Sequence, residues 1–157
     1  MSSTDSVTTS VEVAVDPDTA FEVFTEEIDA WYQRGPHSWK HPDRAVAIRF
    51  EPGVGGRWIE VWDEETGEGY DYARIKAWEP GKRLLLDYLI HDGGHVTEVE
   101  VVFEPTNGGT RVVLEHRGWN ALPPAVAAAG VANVQKGEPV LLGWFAEYID
   151  KIDKEQR

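Results

Sequence analysis

The chain has 157 residues, no cysteine and a formal net charge of −13. That length fits one domain, burying roughly 70% of the surface its unfolded chain exposes. The absence of thiols excludes disulfides, thiol catalysis and cysteine-ligated zinc, and the acidic surface disfavours nucleic acid and anionic lipid as partners.

The amino terminus, MSSTDSVTTS, has neither a basic region nor an apolar run, so a secretory signal is not expected. No stretch approaches the ~20 apolar residues that cross a bilayer. A soluble, cytoplasmic, single-domain protein without membrane insertion is expected over 1–157, with 1–6 disordered.

In chain order, SVTTSVEVAV (6–15) alternates Val7, Thr9, Val11, Val13 and Val15 against polar neighbours, which predicts a half-buried strand. Asp16 and Pro17 then provide a cap and a first helical residue. Phe21, Phe24, Ile28, Trp31 and Tyr32 follow at helical spacing, as one helix or two short ones broken near Thr25. RGPHSWKHPD (34–43) reads as a loop. Strands are expected at 45–52, 57–64, 70–78, 83–90, 95–105 and 110–119, separated by glycine-rich turns such as TNGG. The segment 120–137 is alanine-rich but holds two prolines and two glycines, so it reads either as a short helix or as a mobile flap. A helix over 138–157 is expected to bury Leu141, Trp144 or Phe145, Tyr148 and Ile152. The order is α+β: a meander of antiparallel strands with one apolar face, covered by the terminal helix.

The stretch EPGVGGRWIEVW (51–62) places Gly53, Gly55 and Gly56 within four positions, followed by Arg57. A dinucleotide fingerprint would carry a third glycine at position 58 and lead into a helix, whereas Trp58 stands there and an alternating strand follows. The Gly-Lys-Ser/Thr of a phosphate-binding Walker loop is absent as well. The glycines therefore read as a bend between two strands.

FEPGVGGRWIE (50–60), RIKAWEPGKRLLLDY (74–88), TEVEVVFEPTNGGTRVVLEHRGW (97–119) and, more loosely, GWFAEYI (143–149) together resemble the START and Bet v 1 (SRPBCC) superfamily. They are most similar to its branch named after the activator of the heat-shock-protein-90 ATPase. The resemblance implies a helix-grip fold, a curved sheet of about six to seven strands around a long carboxy-terminal helix. It also implies a cavity between the two for an apolar or amphipathic small molecule.

Alternation then assigns side chains to that cavity. Leu84, Leu86 and Tyr88 share one face, as do Val99, Val101 and Phe103, and Thr110, Val112, Leu114 and His116. In 57–62 the family pattern turns Trp58 and Glu60 inward, which periodicity alone does not decide. Expected ligand-binding residues are Trp31, Trp39, Trp58, Glu60, Leu86, Tyr88, Val101, Leu114, His116, Trp119, Trp144 and Tyr148. Trp119 and Trp144 are expected to border the flap at the cavity mouth. Glu60 and His116, polar groups on an apolar wall, need partners; they are expected to pair with each other or with Tyr88, to anchor a ligand, or to act as an acid–base pair.

His37 and His41, and His91 and His95, are each four apart, but no third ligand accompanies either pair, so neither metal nor cofactor is expected. Gly-x-Ser-x-Gly is absent. The leading functional expectation is a small-molecule binding protein, monomeric or homodimeric. The alternatives are an enzyme of polyketide cyclase or aromatase type, and a co-chaperone acting on a heat-shock ATPase.

Overall fold

The computed structural model describes residues 5–33, 40–90 and 94–155. Strand β1 (Ser6–Val13) is followed by α1 (Pro17–Thr25) and α2 (Ile28–Trp31). Six further strands form the meander: β2 (Ala47–Phe50), β3 (Arg57–Val61), β4 (Gly69–Glu79), β5 (Arg83–Ile90), β6 (His95–Thr106) and β7 (Gly109–Arg117). One turn of 3-10 helix (Trp119–Ala121) leads into α3 (Pro124–Glu155). Ahead of β1, Asp5 accepts hydrogen bonds from the backbone N–H groups of Gly118 and Asn120.

All seven strands form one antiparallel sheet in the order β1-β7-β6-β5-β4-β3-β2. Its register shifts between Trp58 and Ile59, where β3 meets β4, and between Ile75 and Ala77, where β4 meets β5. Such irregularities bend a strand and increase its twist, which curls the sheet around α3. The predicted inner faces of β6 and β7 are buried from Val99 and Thr110 onward, and on β5 Leu84 and Leu86 are buried while Tyr88 is partly buried; Thr110 satisfies its hydroxyl on the Val15 carbonyl at 2.7 Å.

Asp16 caps α1 by accepting from the backbone and hydroxyl of Thr19. The buried face of α1 packs Phe21 against Phe103 and Trp78, and Phe24 against Phe145 of α3, at ring separations of 5.1–5.3 Å. The helical stretch does break after Thr25, whose hydroxyl donates back to the Phe21 carbonyl.

The glycine-rich stretch is a bend. Gly53 (φ 94°) and Gly55 (φ 89°) occupy the left-handed region. A side chain at Gly56 would meet the Glu51 carbonyl at 1.9 Å. The Gly55 and Gly56 amides donate to the carbonyls of Ile75 and Gly53, so they already have protein partners, and a strand follows rather than a helix.

The division expected between 120–137 and 138–157 does not occur: α3 is one helix of 32 residues with Pro139 inside it. Of the expected stripe Phe145 is buried, but the rest of the buried face is shifted by one residue. Leu142, Phe145 and Ile149 are buried, while Leu141, Trp144, Tyr148 and Ile152 are partly buried at the flank. Burial of three such side chains contributes roughly 5–9 kcal/mol, against about 3 kcal/mol for an interior proline. Tertiary packing thus carries the helix through Pro139. Gly130 has its own reason to be small: a side chain there would come within 2.3 Å of the Trp119 ring. Among the described residues no helix is long and apolar enough to cross a membrane.

Candidate functional site

Between the curled sheet and α3 lies a cavity of about 790 Å³, within the range of small-molecule sites. Leu86 and Tyr88 of β5, Val99 and Val101 of β6 and Leu114 of β7 form its floor. Phe24, Ile28, Trp31 and Tyr32 close one side, and Phe50 and Trp58 another. Helix α3 supplies Asn133, Val134, Lys136, Gly137, Glu138, Val140, Leu141 and Trp144. Of these, Asn133, Lys136, Gly137 and Val140 are exposed and mark where the cavity meets solvent. Apolar and aromatic groups thus lie deep, and the polar lining collects along α3.

The aromatic wall is continuous. Trp58 stacks on Phe50 at 5.3 Å and lies 5.1–6.3 Å from the rings of Tyr72, Tyr88 and Tyr32, and Tyr32 in turn meets Trp144 edge-on at 5.6 Å. Trp31 faces the same space while its indole N–H donates to the Val23 carbonyl at 2.8 Å. Burial, and secondarily the nearby Glu138 charge, pushes the Tyr88 hydroxyl up to about 12, so it stays protonated as a neutral donor.

The two polar groups singled out in the sequence pair neither with each other nor by hydrogen bond with Tyr88. The Glu60 carboxylate accepts four hydrogen bonds: from the backbone N–H groups of Lys40 (2.6 Å) and His41 (2.9 Å), from Trp62 Nε1 (2.7 Å) and from the Tyr72 hydroxyl (2.7 Å). Burial acts to raise its pKa, but the donors from Trp62, Tyr72, His41 and Lys40 outweigh it and hold the carboxyl below its ordinary value. Glu60 thus shares a strand face with Trp58 but serves to hold the Lys40–His41 turn, and it does not line the cavity.

His116 is fully buried. Its Nε2 lies 2.6 Å from the Thr97 hydroxyl and its Nδ1 lies 2.8 Å from Glu138 Oε2. An ionised carboxylate only accepts, so Nδ1 carries the proton toward Glu138, and in the neutral ring Nε2 accepts from Thr97. The imidazole sits behind the cavity wall, and Glu138 is the member of this chain that reaches the lining. The Tyr88 ring lies 5.0 Å from the imidazole.

The remaining expected residues fall on both sides of this boundary. Trp31, Trp58, Leu86, Tyr88, Val101, Leu114 and Trp144 line the cavity. Trp119 does not border its mouth; it is buried behind it, with its ring 4.4 Å from His116 and its Nε1 donating to the His116 carbonyl. Tyr148 ties α3 to Glu27 through its hydroxyl at 3.1 Å and lies outside the lining. Trp39, His37 and His91 lie outside the described residues. Among the described residues no group of three or more His, Asp or Glu side chains is arranged to hold a metal.

Sequence reasoning missed Glu138. Stepping back from the buried stripe Ile149, Phe145, Leu142 by the same helical spacing lands on Glu138, a signal obscured by Pro139 beside it. Among the described residues, two buried polar atoms in the cavity-lining side chains have no hydrogen-bond partner: Trp58 Nε1, a donor, and Glu138 Oε1, an acceptor.

A curled seven-stranded sheet gripping one long helix over an apolar cavity defines a helix-grip protein. The family model described as Activator of Hsp90 ATPase homolog 1-like protein matches residues 14–153, and the chain belongs to that family. Solved structures of similar fold include MLL2253 from Mesorhizobium loti (18% identity, 93% of this chain and 97% of that one, TM-score 0.68). NE0264 from Nitrosomonas europaea is another (16% identity, 99% of both chains, TM-score 0.69). A third, DynU16, is described as a protein in the dynemicin biosynthetic locus (18% identity, TM-score 0.65); the match covers 93% of this chain and 47% of DynU16. No curated protein matches the chain in sequence.

Proposed function

We propose that the protein binds a small apolar or amphipathic molecule in the cavity between the sheet and α3. The observation that carries this reading is the cavity itself: about 790 Å³, aromatic and aliphatic in its depth, polar along α3 at its opening. A ligand that entered apolar end first would place its polar end beside Asn133, Lys136 and Glu138. The similarity in fold to DynU16, of the dynemicin biosynthetic locus, is in keeping with a small-molecule role. The family description also names a chaperone ATPase activator; that activity would use an outer surface, whereas the feature built by the described residues is internal.

Thermal denaturation against a panel of apolar and amphipathic compounds tests the reading. A ligand at about a hundred times its Kd should raise stability by roughly 2.7 kcal/mol. Val101→Trp, which fills the cavity floor, should abolish that gain. A panel without any stabilising compound, or a gain retained in Val101→Trp, would refute the proposed site.

A second reading, an enzyme of cyclase or aromatase type, is favoured by one arrangement. Glu138, backed by His116 and Thr97, places a carboxylate in the cavity wall near the protonated Tyr88. A base and an acid so placed could move protons on a bound substrate. Turnover of a bound compound, lost in Glu138→Gln even when the compound saturates the cavity, distinguishes this reading from simple binding.

A further inference from the structure

The two unpartnered atoms differ in kind. Trp58 Nε1 can only donate, and Glu138 Oε1, beside an oxygen already engaged with His116, is an acceptor. Buried polar groups without partners are rare, because each forfeits its hydration without a protein contact in exchange. The protein satisfies its comparable groups: Trp31, Trp62 and Trp119 each donate their indole N–H, and Glu60 has four donors. The two exceptions both belong to side chains of the cavity wall, on opposite elements, β3 and α3.

We infer that Trp58 and Glu138 are the specificity-determining polar contacts of the site. The ligand is then a flat, largely apolar molecule that presents an O–H or N–H donor to Glu138 Oε1 and an oxygen acceptor to Trp58 Nε1. This rests on the proposed binding function and narrows it to a chemical class. The aromatic wall made by Phe50, Trp58, Tyr88, Tyr32 and Trp144 favours a ring system as the body. Both atoms are shielded by their neighbours, so each side chain must shift slightly as the ligand enters, a change of the size commonly seen at binding sites. His116 holds the other carboxylate oxygen and thereby aims the free one. A purely apolar ligand would leave both atoms unsatisfied and would bind more weakly for that reason.

Calorimetric titration with 6-hydroxy-, 6-amino- and 6-methoxy-2-acetylnaphthalene tests this, since the three share one body and one acetyl acceptor. The hydroxy or the amino compound should bind wild type about tenfold or more tightly than the methoxy compound, which has no donor. In Glu138→Gln, which keeps an acceptor for His116, that ratio should fall toward about two. In Trp58→Phe, which keeps the ring, all three should weaken by a similar factor of about five. Equal affinities of the three probes for wild type, or a ratio unchanged in Glu138→Gln, would overturn this inference while leaving the cavity as a binding site. No binding by any probe would overturn both. The comparison of probes on wild type does not depend on the variants folding.

Discussion

His116 Nδ1 and Glu138 Oε2 lie 2.8 Å apart and join the end of β7 to the middle of α3, one residue before Pro139. The contact holds the helix against the sheet at its weakest backbone position. It also sets the carboxylate at the cavity wall.

Breaking this contact from both sides should cost less than the two single losses added together. Glu138→Ala leaves the buried His116 Nδ1 without a partner, a loss of about 2 kcal/mol. His116→Leu should cost a similar amount. The double variant should be more stable than the sum of the two losses implies, with a coupling of at least about 0.5 kcal/mol. A denaturant-melt double-mutant cycle measures it, and strict additivity would mean the pair does not act as a unit.

Pro139 offers the complementary experiment. Its ring removes one helical hydrogen bond in the interior of α3. Pro139→Ala should therefore raise the melting temperature, by up to several degrees for a chain of this size. A lower melting temperature would show that the proline has a packing role beyond its backbone cost.

Glu60 predicts a pH dependence. Its four donors hold the folded-state value below the ordinary one. Its contribution is thus fully present above the unfolded value of about 4.3 and is lost as pH falls through the lower folded value. Glu60→Gln should cost about 2–3 kcal/mol near neutrality, because its amide nitrogen would face backbone and indole donors. The gap between wild type and variant should narrow below about pH 4. A gap that stays constant from neutral to acid pH would show that the charge is not what holds the Lys40–His41 turn.

The glycine bend gives a local prediction. Gly56→Ala drives a methyl group into the Glu51 carbonyl and should destabilise by more than about 2 kcal/mol. Millimolar phosphate or nucleotide should leave the melting temperature unchanged, since the Gly55 and Gly56 amides already bond to protein carbonyls. A phosphate-dependent rise would restore the anion-binding reading.

The strands were legible because period two is a local signal: Leu84 and Leu86, Val99 and Val101, Val112 and Leu114 are all buried as their alternation implies. The bend at Gly53 was legible because a left-handed turn restricts residue choice. Helix α3 was not, because Gly130, Gly137 and Pro139 lower local helical preference while the compensating contacts come from the sheet, far away in sequence. The same separation hid the true partners of the two polar groups. Glu60 is satisfied from Lys40 and His41, about twenty positions earlier, and His116 from Glu138, 22 positions later. The deep half of the cavity follows from strand alternation and aromatic content; its polar edge depends on how α3 docks, which no local pattern encodes.

Native mass spectrometry of the protein isolated from its own organism, followed by denaturation and identification of any released compound, shows whether the cavity holds a ligand and of what class. A one-to-one adduct is expected with a small ring-containing molecule that carries a hydroxyl or amine donor and an oxygen acceptor, and it should be lost in Val101→Trp. A spectrum showing the bare chain mass alone, or an adduct that persists when the cavity is filled, would rule out ligand binding between the sheet and α3.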